Sequence, residues 1–221
     1  MKYIIHLLTR KPFVFVTIKL FLWLHSFCYK VISACSISIE GTHVKKRLTN
    51  IYSFFNENIK NAHSVLDIGA NNGDLTRVLS QLAEKVYAVE IDDKQFSILT
   101  KNVGSIKNIV PILGDVTTLD LANLNVDTIV MSNVLEHIDK RVDFLSKLKL
   151  RFPSARLFIR VPTIERDWVV LYKKFYNMDY LLDDTHFIEF TEEELKREVS
   201  QANWNIVKFE RRFDEFYLIA I

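Results

Sequence analysis

The pattern of apolar and polar positions divides the chain into a leader and a body. Phe13 to Tyr29 is nearly all apolar, interrupted only by Thr17, Lys19, His25 and Ser26, which is long enough to raise a membrane span. At about 100° per residue, however, Lys19, Ser26, Lys30 and Ser33 fall on one narrow stripe, with His25 and Ser36 further round and Phe, Leu, Trp and Ile filling a wide arc. That pattern predicts a helix lying along an apolar surface. Leu48, Ile51, Tyr52, Phe55 and Ile59 then recur at helical spacing and predict a second amphipathic helix over residues 43–60, covering one edge of the body, with Lys45, Lys46 and Arg47 on the turn before it.

From residue 62 short apolar runs alternate with amphipathic ones, which predicts an α/β domain with a parallel sheet. The expected strands are Ser64 to Ile68, Val86 to Glu90, Asn108 to Ile112, Val126 to Met131 and Arg156 to Val161. Helices are expected over Asp74 to Ala83, Asp93 to Val103 and Ile138 to Leu150, with a short turn near Leu119 to Ala122. Thr191 opens a Thr-Glu-Glu-Glu capping box, so a helix should run from it to about Ala202. Asn205 to Arg211 and Glu215 to Ile221, joined by a tight polar turn, predict an antiparallel hairpin. The domain reading is a leader over 1–40, an amphipathic helix over 41–61, and a body over 62–221 carrying a lid insertion at about 162–190.

Composition sharpens this division. With 49% hydrophobic and 25% charged residues in 221, disorder and collagen-like structure are excluded. Cys28 and Cys35 are seven residues apart, about 10 Å of helix rise, too far to bridge, so a reducing compartment fits. The net charge of +2 is unevenly spread: residues 1–39 hold Lys2, Arg10, Lys11, Lys19 and Lys30 and no acid, whereas acids outnumber bases in the remainder. A cationic apolar helix suits an anionic membrane surface; a single span and packing on the body or a second subunit are the competing readings. Ile32-Ser33-Ala34-Cys35 resembles a lipoprotein cleavage box, but Lys19, His25 and Lys30 make a poor apolar core for a secretion signal. The acidic body gives no footprint for nucleic acid.

The chemistry concentrates at strand ends. Of five glycines, Gly69 and Gly73 lie in Asp67-Ile68-Gly69-Ala70-Asn71-Asn72-Gly73, directly after the first body strand. Glycines there let a backbone approach a ligand at the carboxyl edge of an open sheet; a tight turn with no ligand is the plainer alternative. Glu90 ends the second strand, where a carboxylate can accept both hydroxyls of a ribose. Asp115 follows the third strand, placed to accept from an adenine amino group, and Ser132-Asn133-Val134-Leu135-Glu136-His137 follows the fourth.

In this order and spacing these residues resemble class I S-adenosylmethionine-dependent methyltransferases of the type 11-like branch with Leu-Glu-His after strand four. The resemblance covers roughly residues 62–221. It implies a Rossmann-like, doubly wound seven-stranded sheet with an antiparallel last strand, preceded by N-terminal helices. It also implies S-adenosylmethionine as cofactor, with Asp67, Gly69, Asn71, Gly73, Glu90, Asp115, Asn133 and Glu136 around it. One departure is Asn71, where the family's loop usually carries a middle glycine; asparagine tolerates left-handed backbone better than other side chains. The stretches Gly41 to Leu48, Arg160-Val161-Pro162 and Glu165-Arg166-Asp167-Trp168 resemble a bacterial subgroup associated with cell-envelope or polysaccharide loci. The reaction so implied is transfer of a methyl group to a small-molecule, lipid or cell-envelope glycan acceptor, in the cytoplasm and at the inner face of the cytoplasmic membrane.

An oxygen acceptor must lose a proton, and histidine is the natural base. His137 and His186 are the candidates, against plainer roles as a pocket wall and a lid residue. Arg160 and Arg166 suit a phosphate or carboxylate on the acceptor, and Trp168, Tyr172, Phe175 and Tyr176 suit a ring or acyl chain, although aromatics at this spacing commonly form a local core. No metal site is expected, because the histidines and acids near the insertion lack a recognisable ligand spacing. A nicotinamide-dependent oxidoreductase would share the acid after strand two but normally needs Gly-x-Gly-x-x-Gly. A non-catalytic adaptor rests on Asn71 alone.

Overall fold

A computed structural model describes residues 14–40 and 48–221. They separate into two compact units: the described residues up to Ile51 with Leu171–Asp179, and Tyr52–Val170 with Tyr180–Ile221.

The larger unit is built on a seven-stranded sheet of order β3-β2-β1-β4-β5-β7-β6, from β1 (Ala62–Ile68), β2 (Ala83–Glu90), β3 (Ile109–Leu113), β4 (Thr128–Ser132), β5 (Arg156–Pro162), β6 (Ile206–Arg212) and β7 (Glu215–Ala220). The first five strands are parallel, while β7 runs antiparallel to both β5 and β6. The expected doubly wound sheet with an antiparallel last strand is therefore the observed one. The helices are α1 (Val14–Glu40), α2 (Ser53–Asn58), α3 (Asp74–Leu79), α4 (Asp93–Val103), α5 (Arg141–Arg151), α6 (Trp168–Phe175) and α7 (Glu192–Gln201).

Both sheet faces are covered, so the central strands read as continuous apolar runs. One core joins Phe54 and Phe55 of α2, Leu79 of α3 and Leu99 of α4 to Val65, Val86, Phe158 and Tyr217 of the sheet. The other joins Leu145 and Leu148 of α5, Leu195 and Val199 of α7, and Trp204 to Leu66, Ile129, Leu157 and Leu218. Trp204 is buried without loss because its Nε1 donates to Leu145 O at 2.9 Å. The capping box forms as read: Glu194 N donates to Thr191 Oγ1, and Thr191 N donates to Glu194 Oε2 at 2.9 Å.

Four local expectations shift. The helix read over residues 43–60 has its first part outside the described residues; Leu48 is helical, Asn50 then turns the chain with φ 45°, and Ser53–Asn58 forms a separate helix. α3 stops at Leu79 because residues 80–82 turn into β2, which starts at Ala83. Leu135–His137 form a separate 3-10 turn, so α5 begins at Arg141 rather than Ile138. The short turn read near Leu119 to Ala122 is replaced by turns at residues 116–118 and 122–123, with no regular structure at 119–121 between them.

In the smaller unit, α1 aims its polar stripe at the 171–179 segment. Ser26 Oγ accepts from Lys173 Nζ at 2.8 Å, His25 Nδ1 lies 3.1 Å from the same nitrogen, and Lys30 faces Asp179 at 3.9 Å. Phe15 and Tyr176 meet edge to face at 6.5 Å, and the Tyr172 and Tyr176 rings at 4.8 Å. Much of the rest of α1 is apolar and exposed: Phe21, Trp23, Phe27 and Ile32 are each more than half accessible.

Backbone in the left-handed region falls on asparagine. Besides Gly69 and Gly73, the positive-φ positions include Asn50, Asn61, Asn71, Asn133, Asn177 and Asn203, with Phe213 as the one other side chain among the described residues.

Candidate active site at the carboxyl edge of the sheet

Because β1 pairs with β2 on one side and β4 on the other, the chain changes winding direction at β1, and a crevice opens beyond the carboxyl ends of these strands. The loop after β1 enters it with Gly69 at φ 74°, Asn71 at φ 49° and Gly73 at φ 84°. Asn71 keeps the left-handed conformation that a glycine would give there. A Cβ on Gly69 would collide with Val134 Cγ2, and one on Gly73 would sit 2.8 Å from Leu99 Cδ1. The glycines are thus required by close packing of the loop on the protein itself.

Glu90, 6% exposed, holds this loop. Its Oε2 accepts from Asn71 N at 2.7 Å, and its Oε1 accepts from Ile91 N at 2.8 Å and Asp92 N at 2.9 Å. A carboxylate has about four acceptor sites, so this geometry leaves room for one ribose hydroxyl, on Oε2, where the sequence suggested two. Beside it, Ile91, Asp115, Thr117, Val134, His137, Ile138 and Phe144 line a cleft of about 460 Å³, within the range of small-ligand sites, about 300–1,000 Å³. Asp115 Oδ1 accepts from Thr117 N at 2.8 Å and Thr117 Oγ1 at 2.7 Å, which fixes the carboxyl group at the rim. The far side of the cleft carries Asp139, Asp143, Lys140 and Lys147, while the side formed by Ile91, Val134 and Asp115, next to Glu90 at the strand end, fits a planar base carrying an amino group joined to a sugar.

Asp67 lies lower, 1% exposed, with Thr76 Oγ1 donating to its Oδ2 at 2.6 Å. Burial raises its pKa to about 6; the Thr76 hydrogen bond opposes the shift and the Glu90 charge adds to it. A carboxyl with a folded-state pKa above its unfolded 3.8 costs stability as it ionises. The cost is absent below about pH 4, grows between pH 4 and 6, and is complete above that. Asp67→Asn, which keeps an acceptor for Thr76, should therefore match the parent in acid and exceed it by up to about 3 kcal/mol at pH 7.5. Urea unfolding across this range checks it; a pH-independent difference would contradict it.

Asn133, φ 57°, donates its N–H to Arg160 O at 2.8 Å and turns the chain into the Leu135–His137 segment. Glu136 is fully buried, and neither carboxylate oxygen has a hydrogen-bond partner among the described residues. Burial raises its pKa to about 7. His137 is exposed and its Nδ1 lies 2.9 Å from Thr185 Oγ1. That hydroxyl spends its single proton on Asp183 Oδ1 at 2.6 Å, so it accepts from His137 Nδ1–H and leaves the lone pair on Nε2. Burial and the neighbouring His186 lower the His137 pKa, which favours this neutral form.

His186 stands edge to face with His137, ring centroids 4.6 Å apart. Phe187 N donates to Glu136 O at 2.9 Å, which pins the 183–187 loop over the Leu-Glu-His segment. One donor atom each of Glu136, His137 and His186 lie within 4.8 Å of one another, a cluster that spacing in the sequence did not reveal. His186 Nδ1 is buried and lies 3.5 Å from Glu189 Oε1. Burial opposes protonation of His186, but Glu189 and Glu136 outweigh it and raise its pKa.

The expected acceptor-binding cations are engaged within the protein. Arg160 Nε and Nη2 form a fork on Glu215 Oε2 and Oε1 at 2.7 and 2.5 Å, and Nη1 donates to Ser132 Oγ at 3.0 Å. Arg166 pairs with Glu189 and donates to Thr163 O at 2.9 Å and Tyr180 O at 2.8 Å. Both are structural cations rather than open anion sites. Trp168, first residue of α6, is 71% exposed, while Tyr172 and Tyr176 pack as the local aromatic cluster of the smaller unit. Sequence reasoning missed Glu215 and Glu189, which look like surface acids, and Thr76. Asp183 and Thr185 carried one signal, the Asp-x-Thr spacing of an Asx turn, formed here with Thr185 N donating to Asp183 Oδ1 at 2.8 Å.

Comparison with known proteins agrees with this fold. The family model described as a methyltransferase domain matches residues 41–208. A probable ribosomal RNA small subunit methyltransferase A from Methanococcus maripaludis is 31% identical over 108 residues, 49% of this chain and 40% of that protein. The Trichormus variabilis ribosomal RNA small subunit methyltransferase A is 46% identical over 61 residues, 27% of this chain and 22% of that protein. The chain thus spans less than half the length of these curated relatives. Among solved structures, a SAM-dependent methyltransferase from Aquifex aeolicus superposes with TM-score 0.65 at 18% identity, covering 84% of this chain and 96% of that one. Magnesium protoporphyrin IX methyltransferase from Synechocystis, solved with SAH, superposes with TM-score 0.59 at 18% identity, covering 80% and 82%. These likenesses establish the fold.

Proposed function

The chain belongs to the methyltransferase domain family, and we propose that it transfers a methyl group from S-adenosylmethionine to a small-molecule, lipid or cell-envelope glycan acceptor by direct in-line displacement. The observation that carries this reading is the crevice beyond β1, β2 and β4, where Ile91, the residue after Glu90, lines a cleft of about 460 Å³ together with Asp115, Val134 and His137. S-adenosylmethionine would supply a methyl group on a positively charged sulfur, so no protein nucleophile is required and positioning dominates. Glu90 would anchor the ribose through Oε2 while holding the Gly69–Gly73 loop. Asp115 would accept from the exocyclic amine, with Ile91 and Val134 covering the ring. A hydroxyl acceptor would lose its proton at the His137–His186 pair.

An RNA acceptor is the reading suggested by the ribosomal RNA methyltransferase relatives; the excess of acids after residue 39 argues against it. The titration that tests the function uses S-adenosylhomocysteine and the tag-free full chain. One-to-one micromolar binding, followed by transfer of labelled methyl groups to an envelope or lipid extract, is expected. Absence of binding to both S-adenosylmethionine and S-adenosylhomocysteine would overturn it.

We further propose that α1 lies on an anionic membrane surface. Its length and apolar composition suffice for a membrane helix, Ser26 and Lys30 of its polar stripe face Lys173 and Asp179, and large apolar side chains including Trp23 and Phe27 are exposed. Burying an aromatic side chain in the interface is worth about 1.5–3 kcal/mol. Trp23→Glu with Phe27→Glu should therefore reduce co-sedimentation with vesicles rich in anionic lipid at least tenfold, by about 1.4 kcal/mol or more. Unchanged co-sedimentation would sink this reading, and resistance to alkaline extraction from cell membranes would replace it with a span.

A further inference from the structure

We propose that Glu136, His137 and His186 form the ligand set of a divalent first-row transition-metal ion. Three observations carry this. First, one donor atom from each side chain lies within 4.8 Å of the others. Donors around one ion at about 2.0–2.2 Å stand roughly 3–4 Å apart, so small side-chain rotations close the set. Second, the Glu136 carboxylate is wholly buried, with neither oxygen hydrogen-bonded among the described residues. A buried carboxylate without donors is costly, and a cation is one of the few groups that relieves it. Third, His137 already has the outer partner that orients a metal-bound histidine, and His186 Nδ1, buried and without a hydrogen bond among the described residues, lies 3.5 Å from Glu189 Oε1. The chain Asp183 to Thr185 to His137 fixes the Nε2 lone pair of His137. Beside His186 stands Glu189, itself held by Arg166 and by Leu182 N at 2.5 Å.

Two imidazoles and one carboxylate suit the series from Mn2+ to Zn2+ rather than Mg2+ or Ca2+, which prefer oxygen alone. Three protein donors leave at least one coordination position open. An oxygen bound there loses its proton more readily, so with the ion bound the site would acidify a hydroxyl acceptor whose proton leaves to solvent water, His137 and His186 then acting as ligands in place of the base role given them for the metal-free site. This role rests on the methyl-transfer reading; the existence of the site does not.

The test is Co2+ titration of the metal-stripped, tag-free full chain, followed by calorimetry and by the visible d–d absorption of the bound ion. One equivalent is expected, with affinity lowered at least 100-fold in Glu136→Gln and in His186→Ala. Because a buried substitution can also disturb folding, Thr185→Val provides a second variant at an exposed position. It should keep the parent circular dichroism and S-adenosylhomocysteine affinity while lowering Co2+ affinity by about 10–100-fold. Failure to take up one equivalent, or an affinity indifferent to all three substitutions, would overturn the site. S-adenosylhomocysteine binding without Co2+ uptake would also overturn it, leaving the methyl-transfer reading intact; Co2+ uptake without S-adenosylhomocysteine binding would support the site and overturn that reading.

Discussion

Arg160→Met will destabilise the protein by about 3–5 kcal/mol, because it strands Glu215 as a buried carboxylate without its cation. The Arg160 and Glu215 side chains are 9% and 2% exposed, so water cannot substitute. Tyr217 donates its hydroxyl to the same Glu215 Oε2 at 3.0 Å, and burial with the Glu215 charge raises the tyrosine pKa. Arg160→Met combined with Glu215→Gln should recover most of the loss, since an amide keeps an acceptor for Tyr217 and carries no charge. Urea unfolding of the single and double variants measures the coupling. A single variant within 1 kcal/mol of the parent, with acceptor KM raised, would restore the acceptor-binding role that the sequence suggested for Arg160.

The second large effect is expected at Glu90. Glu90→Ala removes the acceptor of three backbone N–H groups, those of Asn71, Ile91 and Asp92, and hydrogen bonds to a charged group contribute about 1.5–3 kcal/mol each. Affinity for S-adenosylhomocysteine should fall at least about 100-fold, equivalent to about 2.7 kcal/mol. Glu90→Gln should fall between, because its NH2 group must face either the Asn71 donor or the Ile91 and Asp92 pair. Calorimetry decides: an affinity within threefold of the parent in Glu90→Ala would remove Glu90 from the site.

The sheet was readable from sequence because its strands are buried on both faces, so their apolar runs stand out between amphipathic helices. The Thr191 capping box was readable for a different reason, since all its partners lie within three residues. Helix ends were harder: Ser80 to Leu82 carry no breaker, and α3 ends there because β2 must begin pairing with β1. The strand-end acids were found by position, but their partners were not. Glu215 and Glu189 are charged residues whose burial depends on arginines 55 and 23 residues away, a separation that no local pattern records. His186 reaches the Leu-Glu-His segment across a similar gap, through one main-chain hydrogen bond from Phe187.

The six asparagines in left-handed backbone bear on the unfolded chain as much as on the fold. Glycine would take the same dihedral angles with less strain, but it would also give the denatured ensemble far more freedom at each position. Substitutions that restrict that freedom without native strain gain about 0.4–1 kcal/mol apiece. With only five glycines in 221 residues, this chain places its tight corners on a side chain that tolerates them, so the turns cost less conformational entropy to close on folding.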